Sequence, residues 1–164
     1  MKDDEKIQAL SQSVLGGELD EAEARQLAGL MGVVTLEPGE TLVSENEQRG
    51  TLFVLARGRL QVCKLVGERE ETVYVMRPGE CAGTRAFIDS APRRAALRAD
   101  EQEGDQTQVL TLEPEVFDTL IEPAPRLAHK VMRAIFCVTH RNLMRMNLES
   151  AEMRNYLLKT GGRY

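Results

Sequence analysis

The sequence predicts an α+β, mainly β, domain. Many short strands would form a sandwich or small barrel, flanked by an N-terminal helical segment and a long C-terminal helix. Three observations predict it. The hydrophobic period is helical before Val33, strand-like from Val33 to Leu112 and helical again beyond it. Glycine and proline turns punctuate the middle stretch at the short spacing of sandwiches and small barrels. A chain of 164 residues suits one domain with an appendage, large enough to bury a core without staples.

Taken in order, residues 1–12 are polar and are expected to be frayed or loosely helical. Asp20 followed by Glu23 makes a capping box, and Ala24, Leu27, Ala28 and Met31 share a face, so a helix is expected from about Glu21 to Leu30. Strands are expected at Val33–Leu36, Thr41–Val43, Leu52–Ala56, Arg59–Val66, Glu71–Met76, Ala95–Ala99 and Val109–Leu112. Gly67–Glu70 reads as a hairpin loop. Asp100–Gln108 reads as an acidic loop, with Val109–Leu112 as the return strand after it. Pro114 at a first-turn position begins a short helix, and Pro123-Ala124-Pro125 breaks it. A long helix then runs from Pro125 to about Leu158. The expected organisation is a helical segment over 1–32, a β-domain over 33–122 and the long helix over 123–160.

Composition narrows the function. A net charge of −5 argues against a general nucleic-acid binder. The polar start at Met1–Lys6 is unlike a secretory signal, and no apolar run is long enough to span a bilayer. Cys63, Cys81 and Cys137 are odd in number and widely spaced, which excludes a disulfide framework or a C-x-x-C pair. Cytoplasmic location is expected, with Cys63 as small core filler. His129 and His140 lie eleven apart without a metal-ligand pattern, and no nucleophile elbow is present, so an enzyme is not expected.

On the long helix, Leu127, Val131, Met132, Ala134, Ile135, Phe136, Val138, Thr139, Asn142, Leu143 and Met146 fill one arc of about 200°, wider than the stripe one core needs. The excess predicts two contact surfaces, one for the β-domain and one for the same helix of a second chain. Asn142 lies near the middle of that arc. It could fix the register of a helix pair or point at a ligand.

One stretch, Pro78 to Ala96, concentrates the remaining chemistry. A Pro-Gly turn leads through Gly83 into a short helical segment, and the chain returns through Pro92-Arg93-Arg94. Arg85, Arg93 and Arg94 fall within ten positions of an acidic chain. Free backbone N–H groups beside arginines suit an anionic group, although solvated charges on a surface turn would read alike.

With its surroundings, this stretch resembles the cyclic nucleotide-binding domain of the catabolite activator and protein-kinase-A regulatory-subunit superfamily. Pro38-Gly39-Glu40, Gly58-Arg59-Leu60-Gln61-Val62, Pro78-Gly79-Glu80, Gly83, Pro92-Arg93-Arg94-Ala95-Ala96 and Leu110-Thr111-Leu112 with Phe117 and Leu120-Ile121 carry the resemblance, over about Val14 to Asn147. It implies an antiparallel double-stranded β-helix, a jelly-roll-like β-roll. It also implies a phosphate-binding cassette at 82–96, in which Gly83, the Thr84–Ile88 turn (Ala86 included) and Arg93 meet a cyclic phosphate. Arginine suits the role because its planar fork meets two oxygens and keeps its charge.

Two departures follow. Where cyclic-nucleotide binders carry a glutamate that grips the ribose 2′-hydroxyl, this chain has Thr84. That loss is worth about 1.5–3 kcal/mol, or about one to two decades of affinity. Arg85 stands where an apolar residue is usual, so Arg85, Arg93 and Arg94 would suit a more highly charged ligand. Asn142 corresponds to the helix position that contacts the base in the activator branch. Transcription factors of the family continue into a winged helix-turn-helix, and none remains to be assigned before Tyr164, so DNA binding is not expected. The expected function is a non-catalytic sensor without cofactor or metal. It would bind a phosphate-bearing small ligand (a cyclic nucleotide or a relative), form a homodimer through the long helix and act on a protein partner the sequence does not name. The second reading is a dimeric interaction module of the same fold that binds no nucleotide.

Overall fold

In a computed structural model the chain is described over residues 1–101 and 106–160, with side chains up to residue 156. The elements are α1 (Asp3–Ser11), α2 (Glu21–Leu30), β1 (Gly32–Leu36), β2 (Thr41–Val43), β3 (Leu52–Arg57), β4 (Leu60–Val66), β5 (Arg69–Met76), β6 (Cys81–Ala82), α3 (Thr84–Asp89), β7 (Ala96–Ala99), β8 (Thr107–Leu112), α4 (Pro114–Ile121) and α5 (Pro125–Thr160). Among the described residues the strands form two four-stranded antiparallel sheets, ordered β1-β8-β3-β6 and β2-β7-β4-β5. This is the β-roll, flanked by the N-terminal helices and the long C-terminal helix.

Two cores explain the sequence pattern. Between the sheets lie Leu36, Leu42, Val43, Phe53, Leu55, Leu60, Met76, Leu97, Ala99 and Val109. On the far side of β3 and β8, Leu52, Val54, Leu110 and Leu112 meet Leu10, Leu27, Phe117, Leu120, Leu127, Val131 and Ile135 from the helices. Strands β3 and β8 are therefore buried on both faces, and their sequences read as continuous apolar runs rather than alternating ones. Strands β4 and β5 lack that second cover, and Leu65, Val66, Val73 and Val75 stay exposed.

Helix α2 has the expected bounds and capping box. Asp20 Oδ1 accepts from the Glu23 backbone N–H at 2.8 Å, and Glu23 Oε2 accepts from the Asp20 N–H at 2.9 Å. Lys130 Nζ on α5 also donates to the Glu23 carboxylate, at 2.6 and 2.9 Å. That bond, with the Asp20 N–H, holds the Glu23 carboxyl below its usual pKa.

Three expectations change. Within residues 1–12, Asp3–Ser11 form a regular helix rather than a frayed one, because Leu10 is fully buried against the helical core. The hairpin after β4 has a two-residue loop, since Val66 pairs with Arg69 and Glu70 is already in the strand. Strand β8 is not the return partner of β7. It pairs with β1 and β3 in the other sheet, while β7 lies between β2 and β4. The connection thus crosses from one sheet to the other, as a closed roll requires. Residues 102–105 of that acidic loop lie outside the described residues.

The wide arc of α5 divides in two. Leu127, Val131, Ile135 and Val138 are buried on the roll and helices, whereas Met132, Phe136, Leu143 and Met146 are exposed. Among the described residues no helix is long and apolar enough to cross a membrane.

Candidate ligand site at the cassette

Strand β6 pairs with β3 through Phe53–Ala82 and Val54–Cys81, which brings the cassette to the edge of the first sheet. Gly83 then turns the chain into α3 with φ +85°, a conformation that costs a side-chain-bearing residue. Ala86 and Phe87 fix α3 from beneath, and the Phe87 ring meets Phe117 of α4 edge-on at 5.5 Å. On the way back, the Arg93 N–H donates to the Glu47 carbonyl at 3.0 Å, and the Asn46 N–H donates to the Arg93 carbonyl at 2.8 Å.

These bonds aim the Arg93 side chain inward, and it is only 5% exposed. Its Nη2 donates to the Thr51 carbonyl. Its guanidinium carbon lies 4.8 Å from the centre of the Phe53 ring. A β-carbon on residue 83 would overlap Arg93 Nη1 and lie 2.8 Å from the Thr51 oxygen, so glycine is required for the arginine to sit there. The Arg93 Nε–H is buried without a hydrogen-bond partner among the described residues. Burial, and then the Arg49 charge, hold its pKa below the ordinary arginine value, while Glu47 and Glu113 act the other way. The group remains a buried cation facing a glycine.

Thr84 opens α3, and its hydroxyl lies 3.0 Å from the hydroxyl of Thr139 on α5. Thr139 Oγ1 also lies 2.8 Å from the Ile135 carbonyl. With one proton it donates to one of them at a time. The long helix thus rests on the first residue of the cassette helix. Further along, the Arg145 guanidinium lies 4.3 Å from the Tyr74 ring on β5. The Tyr74 hydroxyl donates to Glu80 at 2.7 Å, a bond that raises its pKa. Helix α5 therefore spans the cassette and the neighbouring hairpin like a strap.

Of the residues expected to form the site, Gly83, Thr84 and Arg93 are brought together, and Ala86 is buried beneath them. Arg85 points outward and pairs with Asp89, its Nε 3.0 Å from Oδ2. Asp89 also accepts from the Ala91 N–H, and these two bonds lower its carboxyl pKa. Arg94 is exposed, and Asn142 is exposed on α5. Sequence reasoning missed Thr51, Arg49 and Glu113. The Thr51 hydroxyl accepts from Arg49 Nε at 3.0 Å and donates to the Glu113 carboxylate, 2.7 and 2.9 Å from its two oxygens. Thr51 and Glu113 are 62 positions apart, so no local spacing signals them.

A cradle of glycine, short helix and buried arginine on a β-roll is the arrangement the resemblance implied, and the cyclic nucleotide-binding domain profile matches residues 33–123, more than half of the chain. The chain belongs to the cyclic nucleotide-binding domain family. This cyclic nucleotide-binding domain is 31% identical over 83 residues to a cGMP-dependent protein kinase of Eimeria tenella, covering 51% of this chain and 8% of that protein. It is 26% identical over 106 residues to a cAMP-dependent protein kinase regulatory subunit of Mycosarcoma maydis, covering 64% of this chain and 20% of that one. The chain thus spans a small part of these relatives. In fold it is similar to a cyclic nucleotide-binding domain from Methylobacillus flagellatus, with a TM-score of 0.75, 20% identity, and 87% and 79% of the two chains covered.

Proposed function

We propose that this domain is a non-catalytic sensor that binds a phosphate-bearing ligand, a cyclic nucleotide or a related anion, between the cassette and α5, and that it signals through α5. The observation that carries the reading is Arg93: a buried cation, pressed on Gly83, with one N–H lacking any partner among the described residues. A buried charged group with an unbonded N–H is costly, and an anion beside Gly83 would supply a partner. Gly83, Thr84 and Arg93 would hold the phosphate end. Arg85 and Arg94, both exposed, would favour higher charge on the ligand, and Asn142 or Thr139 would face its other end. The names of the relatives, kinases and a regulatory subunit dependent on cGMP or cAMP, support this ligand class.

Assembly follows from α5. Met132, Phe136, Thr139, Leu143, Met146, Ser150 and Met153 recur four and three apart, the spacing of a helix-pairing seam. Phe136 is 70% exposed. A second copy of α5 would cover that seam and give a homodimer, in which a shift of α5 reaches the partner.

The test is thermal unfolding with cyclic AMP, cyclic GMP, cyclic dinucleotides and polyphosphate, on the wild type and Arg93→Ala. A ligand at a hundredfold excess over its Kd adds about 2.7 kcal/mol. The wild type should gain several degrees and Arg93→Ala none. No gain with any of the four would sink the sensor and leave a dimeric interaction module that binds no nucleotide.

A further inference from the structure

Thr51 stands between the anion site and the helices. It is fully buried at the entry to β3. Its carbonyl accepts from Arg93 Nη2, and its hydroxyl donates to Glu113. Glu113 is the N-cap residue of α4, yet its side chain makes no cap to its own helix. A side-chain cap bonds N–H groups that the first turn of a helix otherwise leaves without partners. Here the carboxylate is directed instead across the molecule to Thr51. Proline at the next position lessens the need for a cap, since Pro114 has no N–H to satisfy.

The backbone around this contact is interlocked. A β-carbon on Gly50 would lie 2.9 Å from Pro114 Cγ and 3.5 Å from the Ala86 carbonyl, so the loop before β3, the start of α4 and the cassette helix touch at one point. Helix α4 leads into α5 across a break of three residues. A polar path therefore runs from Arg93 through the two oxygens of one threonine to the first turn of α4.

We propose that Thr51 and Glu113 are positioning residues that couple the placement of Arg93 to α4, and through α4 to α5. The inference rests on the reading of Arg93 as the anion-binding group. An anion beside Gly83 would draw the Arg93 guanidinium toward itself and away from the Thr51 carbonyl. Withdrawing from Thr51 frees that carbonyl and lets the peptide turn. The hydroxyl on the same residue moves with it, and the Glu113 carboxylate follows. The structure holds the first of these positions, with Arg93 on the Thr51 carbonyl. The second loosens α4 at its N-terminal end, where the packing of Pro114 on the Gly50 loop and the Phe87–Phe117 contact remain.

The first experiment needs no ligand. Arg93→Gln, Glu113→Gln and the double variant are unfolded in urea in three backgrounds: wild type, Thr51→Ser and Thr51→Val. Coupling predicts that the double variant shifts the midpoint by less than the sum of the singles. Thr51→Ser keeps the hydroxyl and should keep the non-additivity, whereas Thr51→Val should abolish it. Additive shifts with the native threonine, or non-additivity that survives Thr51→Val, would overturn the relay. Should Arg93→Gln fail to fold, Arg93→Lys takes its place in the cycle.

The second experiment adds cyclic AMP as the probe and follows hydrogen exchange. In the wild type, amides of α3 and of α5 between Leu127 and Val138 should slow together. In Glu113→Gln, slowing in α5 should fall at least twofold relative to slowing in α3. Equal slowing of both would overturn the relay. If the wild type shows no response, cyclic AMP is not the ligand of this site, and the urea cycle decides the coupling by itself.

Discussion

The hydroxyls of Thr84, at the start of α3, and Thr139, midway along α5, lie 3.0 Å apart although 55 positions separate them. Where binders of this family carry a sugar-gripping glutamate, the side chain here holds the long helix. Replacing Thr84 by Glu should exchange the one role for the other. Cyclic AMP should bind about ten- to a hundredfold more tightly, the worth of one charged hydrogen bond. Hydrogen exchange along α5 near Thr139 should speed up in the ligand-free protein. Calorimetric titration and exchange measurements check the two halves separately.

Gly83 carries a second prediction. Its φ of +85° and the guanidinium packed on it leave no room for a methyl group. Gly83→Ala should cost about 1–3 kcal/mol from backbone strain alone, and more while Arg93 is present. In Gly83→Ala/Arg93→Ala the loss should be smaller than the two single losses added. Urea unfolding of the three variants measures it.

The thiols differ in burial. Cys63 and Cys81 are buried, and Cys137 is exposed on α5. A thiol reagent at pH 8 should label Cys137 alone in the native protein and all three thiols in denaturant. Burial, and then the Glu80 charge, push the Cys81 thiol up to about 12. A pKa raised on folding means that the unfolded chain loses its proton first. Cys81 should therefore subtract stability as pH rises from the ordinary thiol range, about 8.5, toward about 12. Cys81→Ala should flatten that part of the stability–pH profile.

Helix α5 offers a contrast between its faces. Phe136→Glu and Leu143→Glu, on the exposed seam, should turn a dimer into a monomer in sedimentation while circular dichroism stays unchanged. Ile135→Ala, on the buried face, should cost about 2–5 kcal/mol of stability in dimer and monomer alike. A sedimentation run that finds the wild type monomeric at high concentration removes the dimer. Asn142→Leu separates its two roles: looser pairing specificity if it sets register, weaker ligand binding if it faces a ligand.

The link between Glu23 and Lys130 joins α2 to α5. Because the Glu23 pKa is lowered on folding, this contribution is present above the ordinary carboxylate pKa and lost as pH falls through the lowered one. Lys130→Ala should weaken the acid dependence of unfolding over that range, measured by thermal scans from pH 3 to 6.

Much of the fold was legible because its causes are local. The capping box at Asp20 and Glu23, the prolines at 114 and 125 and the run Leu52–Leu55 act within a few residues, so element types and most bounds can be read from the chain. The family resemblance is legible for a similar reason, since Gly83 and Arg93 answer a turn and a charge at fixed spacing. The pairing of β8 was not legible. The hydrophobic pattern of Val109–Leu112 suits either sheet, and closure of the roll decides between them.

The sequence by itself determined a β-roll, and its resemblance marked Gly83 and Arg93 as the expected phosphate end of a cassette, with Thr84 where binders carry the sugar-gripping glutamate. It also determined a long helix with more apolar surface than one core can use. Only the tertiary structure decided which arginine is buried: Arg93 turns inward onto Phe53 and Thr51, while Arg85 turns outward to Asp89 and Arg94 to solvent. Three arginines of one short stretch are alike in sequence, and their charges are told apart by desolvation. Desolvation depends on what the fold stacks over each of them, and for Arg93 that is a ring on β3 and a threonine tied to α4.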